Sequence, residues 1–247
     1  MPSGSRSEPG PAVPSARIST LPAVAVFLLV KVRPSAVPWL LMRLVRGPRA
    51  LRGVDGLRFC RVLGSGQGGG FVLRPGLDHG GLFLLFDDEP QAEAFIARSP
   101  LVAAYRAHAD ECLVAMLRAS ACKGSWAGQS MAVTAIARPG EPVAALTRGA
   151  VRPSRAWSFW RHAAPSQRAL GSATGCRLAA GLGEAPVFRQ ATFSVWDDVA
   201  SMEAYARHGA HRQASASAAR EGHFGESMFV RFVPLWIQGR WQGRTHG

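Results

Sequence analysis

His211 is the residue where chemistry first suggests itself, because the chain carries a control for it. Aligning Asp87-Asp88 with Asp197-Asp198, two copies of one internal motif, sets Leu101 opposite His211. The same surface of a predicted helix is thus apolar in one copy and carries an imidazole in the other. An imidazole nitrogen is a standard axial ligand for haem iron. A solvent-facing histidine near a helix start needs no ligand, and spacing alone leaves both readings open. His208 competes; beside Gly209, at the end of the preceding helix, it reads as a cap-region residue. Arg189, Gln190 and Thr192 lie in an otherwise apolar strand. Alternation puts Gln190, Thr192 and Ser194 on one face and Ala191, Phe193 and Val195 on the other. The polar row either lines a pocket, with Gln190 and Thr192 as candidate catalytic residues, or is a half-solvated face. Arg148, Arg152 and Arg189 are cations of the kind that hold carboxylates such as haem propionates, or plain surface arginines.

Other motifs carry less. Cys60, Cys112, Cys122 and Cys176 show no CxxC spacing, so neither a zinc site nor a disulfide framework is indicated. The Gly64–Gly70 run lacks the lysine and the following helix of a phosphate loop and reads as a hairpin connection. No Ser-His-Asp or Cys-His constellation has a motif behind it. Trp126 and Trp241 sit in matched Gly-x-Trp-x-Gly segments and read as core plugs. Trp157 and Trp160, three apart on a helix, read as core first and pocket lining second.

The elements that must position these residues come twice. Val32-Arg33-Pro34-Ser35 returns as Val151-Arg152-Pro153-Ser154, Phe86-Asp87-Asp88 as Trp196-Asp197-Asp198, and Gly124-Ser125-Trp126 as Gly239-Arg240-Trp241, in the same order. A period above 100 residues means a duplicated domain, since solenoid repeats run about 20–50 residues. In residues 21–130 the pattern predicts strand 23–32, a helix from Pro34 to Val45, strands 57–63 and 81–86, helices 91–98 and to about Ala109, and strand 111–119. Residues 138–247 repeat it: strand 143–151, helix 153–170, strands 176–182 and 188–196, helices 200–207 and 210–220, and strand 228–233. The order β-α-β-β-α-β is the ferredoxin-like unit. The expected fold is α+β: two tandem ferredoxin-like units packed as a fused dimeric α+β barrel, with a cavity between sheet and helices.

The 247 residues are 47% hydrophobic, enough to fill a sizeable core. No apolar stretch reaches the roughly 18–20 residues of a spanning helix, and no signal peptide is indicated, so a cytoplasmic location is expected. Residues 1–20, rich in Pro, Ser and Gly, predict a disordered extension. The net charge of +13 comes almost wholly from arginine. Without a dense basic run or an interleaved aromatic motif, nucleic acid is not the expected partner.

The second half, from Gly183-Glu184 through Arg189-Gln190-Ala191-Thr192-Phe193-Ser194-Val195-Trp196, Met202-Glu203-Ala204-Tyr205, His211-Arg212, Arg220-Glu221-Gly222-His223-Phe224, Glu226 and Arg231-Phe232, resembles the spheroidene monooxygenase family. Leu63-Gly64-Ser65-Gly66, Gly70-Phe71 and Leu146-Thr147-Arg148 resemble other stretches of it, and the likeness covers roughly residues 21–243. The resemblance implies a haem monooxygenase that uses dioxygen and an external electron donor, such as a ferredoxin, to hydroxylate and then ketolate an acyclic carotenoid. It favours His211 as the axial ligand. A membrane-dissolved substrate further implies peripheral contact with the inner face of a membrane. The pattern departs at His208-Gly209-Ala210-His211, where the family has Gly-Pro-His, and at His223, where it has Trp. The alternative is a cofactor-free monooxygenase or small-molecule binder on the same fold.

Overall fold

The computed structural model describes residues 19–21, 24–66, 75–185 and 188–247; the side chains of residues 19–21, 75, 162–168, 210, 211, 214, 215 and 219 lie outside that description. The first half runs β1 (Ser19–Leu21), β2 (Val24–Val32), a 3-10 turn (Pro34–Ala36), α1 (Val37–Arg46), a second 3-10 turn (Gly47–Leu51), β3 (Leu57–Gly66), β4 (Pro75–Phe86), α2 (Glu89–Arg98), α3 (Pro100–His108), β5 (Ala109–Gly124) and β6 (Gln129–Met131). The second runs β7 (Val143–Val151), a 3-10 turn (Pro153–Arg155), α4 (Ala156–Gly171), β8 (Cys176–Ala185), β9 (Arg189–Trp196), α5 (Val199–Arg207), α6 (Gly209–Glu221), β10 (Phe224–Trp241) and β11 (Arg244–His246). Of the expected N-terminal extension, residues 1–18 lie outside the described residues, and Ser19 and Thr20 pair in parallel with β6 as part of β1. Most of the Gly64–Gly70 run also lies outside them.

Eight antiparallel strands close a barrel in the order β10-β5-β2-β4-β3-β8-β9-β7, with β7 returning to β10. The chain is therefore α+β and barrel-shaped. Within each half the strand order is the same, β5-β2-β4-β3 and β10-β7-β9-β8, and so is the register: Val24 opposes Phe86 as Val143 opposes Trp196. Period-two alternation sends one face of every strand inward. Phe27, Phe83, Phe193 and Trp126 meet there; the Phe27 and Phe193 rings stack at 4.1 Å and Phe83 and Trp126 at 5.3 Å. Such pairs add about 0.5–1.5 kcal/mol each beyond their burial. Trp126 and Trp241 are both 1% exposed, as core plugs should be. Asp88 and Asp198 cap α2 and α5 as expected, accepting from the Gln91 and Ser201 amides.

The β5–β10 seam shows how the halves hold each other. Each strand leads into a tight turn, Ala127-Gly128 or Gln242-Gly243, with positive φ at both positions. The Glu226 carboxylate accepts from Gly128 N at 2.9 Å, and the Glu111 carboxylate accepts from Gln242 N and Gly243 N at 2.7 and 2.8 Å. Glu111 and Glu226 are 115 positions apart, as are Trp126 and Trp241, so each half clamps the other's turn. Gly124 and Gly239, also 115 apart, have positive φ, and a Cβ on either would sit 2.1 Å from a carbonyl of the opposite strand.

Several expectations change, and β5 runs Ala109–Gly124 rather than 111–119. β10 is 18 residues long, not the segment 228–233; register shifts at Arg231/Phe232 and Pro234/Trp236 carry it past a proline that breaks the alternation. β4 begins at Pro75 rather than Gly81, its first half hidden by glycine and polar residues of low strand propensity. Trp160 is buried, but Trp157 is 83% exposed. A spacing of three fixes a helix face, not how far along the helix the cover extends. Trp157 falls in the opening turn of α4, and its counterpart Pro38 in α1 is exposed too. Among the described residues no helix is long and apolar enough to cross a membrane.

Candidate active site

The outer face of the barrel, where helices pack on strands, differs between the halves. Under α1, α2 and α3 that face carries Val26, Leu28 and Val30 on β2, Val62 on β3, and Leu82 and Leu84 on β4, all built into one apolar cluster. The matching rungs under α4, α5 and α6 carry Ala145, Thr147 and Gly149 on β7, Gly181 on β8, and Thr192 and Ser194 on β9. Among the described residues the buried cluster there comprises Val143, Ala145, Leu170, Trp196 and Met202. Large-to-small replacement in a packed interior costs about 2–5 kcal/mol when the space stays sealed and empty. Six of them would consume a whole domain's stability of about 5–15 kcal/mol. The second face is accordingly open: Thr147, in the middle of β7, is exposed, and Phe229 on β10 is 37% exposed. α6 packs mainly on α4 and α5 rather than on strands, whereas the first-half helices lie on β2, β3, β4 and β5.

Aromatic and polar walls bound this slot. The Phe224 ring covers Gly149, whose Cβ would come within 2.4 Å of it, and Phe159 meets Phe224 at 5.5 Å. Behind them Glu221 accepts from Ser158 Oγ (2.5 Å) and Ser217 Oγ (2.7 Å) and contacts His223 Nε2 at 3.1 Å. Those donors hold the Glu221 carboxyl well below the usual carboxylate range. His223, 1% exposed, lies edge-on to Phe159, and among the described residues its Nδ1 has no hydrogen-bond partner. The sequence marked His223 only as a departure from the family pattern; nothing in it announced Ser158 or Ser217.

The structure brings some of the expected site residues together and separates others. Gln190 and Thr192 both lie on the floor of the slot. Thr192 stands opposite Thr147 and Gly181, and Gln190 Nε2 donates to the Ala185 carbonyl at 3.4 Å. Arg189 opens β9 and is exposed. His208 is exposed at the α5–α6 junction, its Nδ1 2.7 Å from the Ala204 carbonyl oxygen. His211 belongs to α6, in its first turn; its side chain lies outside the described residues. Among the described residues no group of three or more His, Cys, Asp or Glu side chains could hold a metal ion. Arg231, unremarked as a candidate, replaces Met116 of the first half on this face and reaches Glu203 at 3.8 Å.

Arg148 points the other way, into the barrel. It contacts Glu226 at 2.5 Å and Glu184 at 3.5 Å, while Glu184 also binds Arg61 at 2.7 Å and accepts from Trp126 Nε1 at 3.0 Å. Two cations thus face two carboxylates, and Arg148 holds the barrel's mouth rather than joining Gln190 and Thr192. Burial pushes the Glu226 carboxyl up, but the Gly128 amide, the Ser125 hydroxyl, the Ala127 amide and Arg148 outweigh it and hold it below its ordinary value.

No family model matches the chain. It is 51% identical to the spheroidene monooxygenase of Rubrivivax gelatinosus over 98% of its own length and 96% of that protein's. It is 35% identical to the spheroidene monooxygenase of Rhodobacter capsulatus, covering 85% of this chain and 89% of that one. Among solved structures, an aldoxime dehydratase in complex with butyraldoxime superposes with a TM-score of 0.57 over 89% of this chain and 82% of that one, at 10% identity, a likeness of fold.

Proposed function

The chain belongs to the spheroidene monooxygenase family, and on that premise we propose that it oxygenates an acyclic, spheroidene-like carotenoid in the slot of its second half, with haem as the cofactor. The observation that carries this is the stripped floor: where one half packs Leu28 against Leu82, the other sets Thr147 against Thr192 and leaves Thr147 exposed and Thr192 half-buried. We also read the two halves as tandem ferredoxin-like units, in keeping with their shared strand order, register and crossed carboxylate clamps.

The residues present suit a flat apolar cofactor. Gly149, Gly181 and Gly183 keep the floor low, Phe224 and Phe229 offer ring faces, and Gln190, Thr147 and Thr192 offer hydrogen bonds. His211 on α6 would hold the haem iron, and Arg189 with Arg231 would be the cations for the haem carboxylates. When bound, the haem iron supplies the dioxygen activation that an unreactive C–H bond requires. The chain itself binds and orients the polyene along Phe159, Phe224 and Phe229. Each hydroxylation consumes one dioxygen, two protons and two electrons from an external donor such as a ferredoxin; one oxygen enters the substrate and the other leaves as water. A second hydroxylation at the same carbon gives a gem-diol, which loses water to a ketone.

The test is the absorbance spectrum of purified protein during haemin titration. The expected result is a stoichiometric Soret band that His211→Ala weakens or shifts, together with loss of carotenoid oxidation, while His208→Ala leaves both near wild type. A carotenoid oxidation that proceeds without any Soret band would overturn the haem reading.

A further inference from the structure

α1 is apolar on both of its sides. Its inner side, through Leu40 and Leu44, packs over Gly80 and Gly64. Its outer side should be polar in a surface helix. Instead Pro38, Leu41, Met42 and Val45, at i, i+3, i+4 and i+7, are all exposed, Val45 by 78%. The segment around them is uniformly basic: Lys31, Arg33, Arg43, Arg46, Arg49 and Arg52, with no acidic residue until Asp55. Arg46, Arg49 and Arg52 are exposed and, among the described residues, none of the three forms an ion pair with a carboxylate.

An exposed apolar stripe edged by unmatched arginines fits few partners. A second copy of the chain, meeting it across a twofold axis, would press like charges together. An anionic bilayer matches both features: the stripe enters the boundary between headgroups and acyl chains, and the arginines meet lipid phosphates. We propose that α1 and the 3-10 turn Gly47–Leu51 after it form the face by which this protein lies on an anionic lipid membrane. The exposed stripe and its arginines belong to the first half, and none of them is among the residues assigned to the slot, so the proposal does not depend on the haem reading. A polyene dissolved in lipid supplies the reason for it.

The test is co-sedimentation of the full chain with vesicles of phosphatidylcholine alone and of phosphatidylcholine mixed with phosphatidylglycerol. Binding to the anionic vesicles, weakened by salt, is expected, with little to the neutral ones. Arg46→Gln, Arg49→Gln and Arg52→Gln together should weaken it by about fivefold per arginine, and Leu41→Ser with Met42→Ser and Val45→Ser should weaken it at low salt and at high salt alike. Both variants should keep the wild-type melting profile, and both should still oxidise carotenoid presented in detergent micelles, which separates failure at the membrane from failure of the chemistry. Binding that neither variant changes would overturn the proposal. So would a wild-type dimer in size-exclusion chromatography that the serine variant dissociates, which would assign the stripe to a second copy.

Discussion

Leu28 and Thr147 occupy the same rung of two sheets, as do Leu82 and Thr192, and the exchange of two leucines for two threonines separates a packed face from an open one. Putting the leucines back, Thr147→Leu with Thr192→Leu, should leave the barrel intact. Urea unfolding is expected to show stability equal to wild type or higher by about 1–2 kcal/mol, since part of the added apolar surface is buried. The same variant should lose the Soret band in a haemin titration. A full-strength band in a folded double variant would move the cofactor site away from this floor. Gln190 and Thr192 were legible because alternation along one strand exposes a polar row. Thr147, Gly149 and Gly181 were not, since their smallness acquires meaning only when β7 and β8 lie beside β9. Arg148 shows the same limit: it follows Thr147, and a period of two sends it to the other side of the sheet.

The helices over the slot are joined by the carboxylate of Glu221, which ties Ser158 of α4 to Ser217 of α6 and to His223. These donors lower its pKa in the folded state, while the unfolded chain titrates near the ordinary glutamate value of about 4.3. A depressed carboxylate contributes stability that is complete above the unfolded pKa and is lost as pH falls below it. The thermal midpoint of the wild type should therefore drop on acidification from neutral pH to about pH 3–4, and that of Glu221→Gln should drop less, from a lower starting value at neutral pH. Equal pH slopes for the two proteins in calorimetry would show that this carboxylate does not join α4 to α6. At this scale the repeated motifs made element order and the caps of α2 and α5 readable in advance. The length of β10 was not readable, because its irregularities at Arg231/Phe232 and Pro234/Trp236 answer to β5, and the one at Phe224/Glu226 to β7, rather than to its own alternation.

The whole barrel closes at two unequal seams between its halves. β5 and β10 pair from Leu113–Gly239 to Gly124–Met228 through two register shifts, with both carboxylate clamps at the ends of the seam. Among the described residues, β3 and β8 pair at Gly64–Gly183 and Ser65–Leu182, helped by the Ser65 hydroxyl donating to the Gly181 carbonyl. The duplicated pattern foretold two seams but not their inequality, since cross-strand pairing leaves no trace in either strand alone. Local opening follows the weakest set of contacts. β8 is also floor strand to the slot, so this seam is where a long, rigid ligand could be admitted without unfolding the clamped side. Native-state hydrogen exchange should show the amides of Gly64, Ser65, Leu182 and Gly183 opening well before those of β5 between Leu113 and Leu117. Ser65→Ala, which removes the hydroxyl bond to Gly181, should speed the first group by about fivefold, as expected for a net loss of about 1 kcal/mol, and leave the second unchanged. Uniform protection around the barrel would mean that the two seams open together and that the short one offers no separate route to the floor.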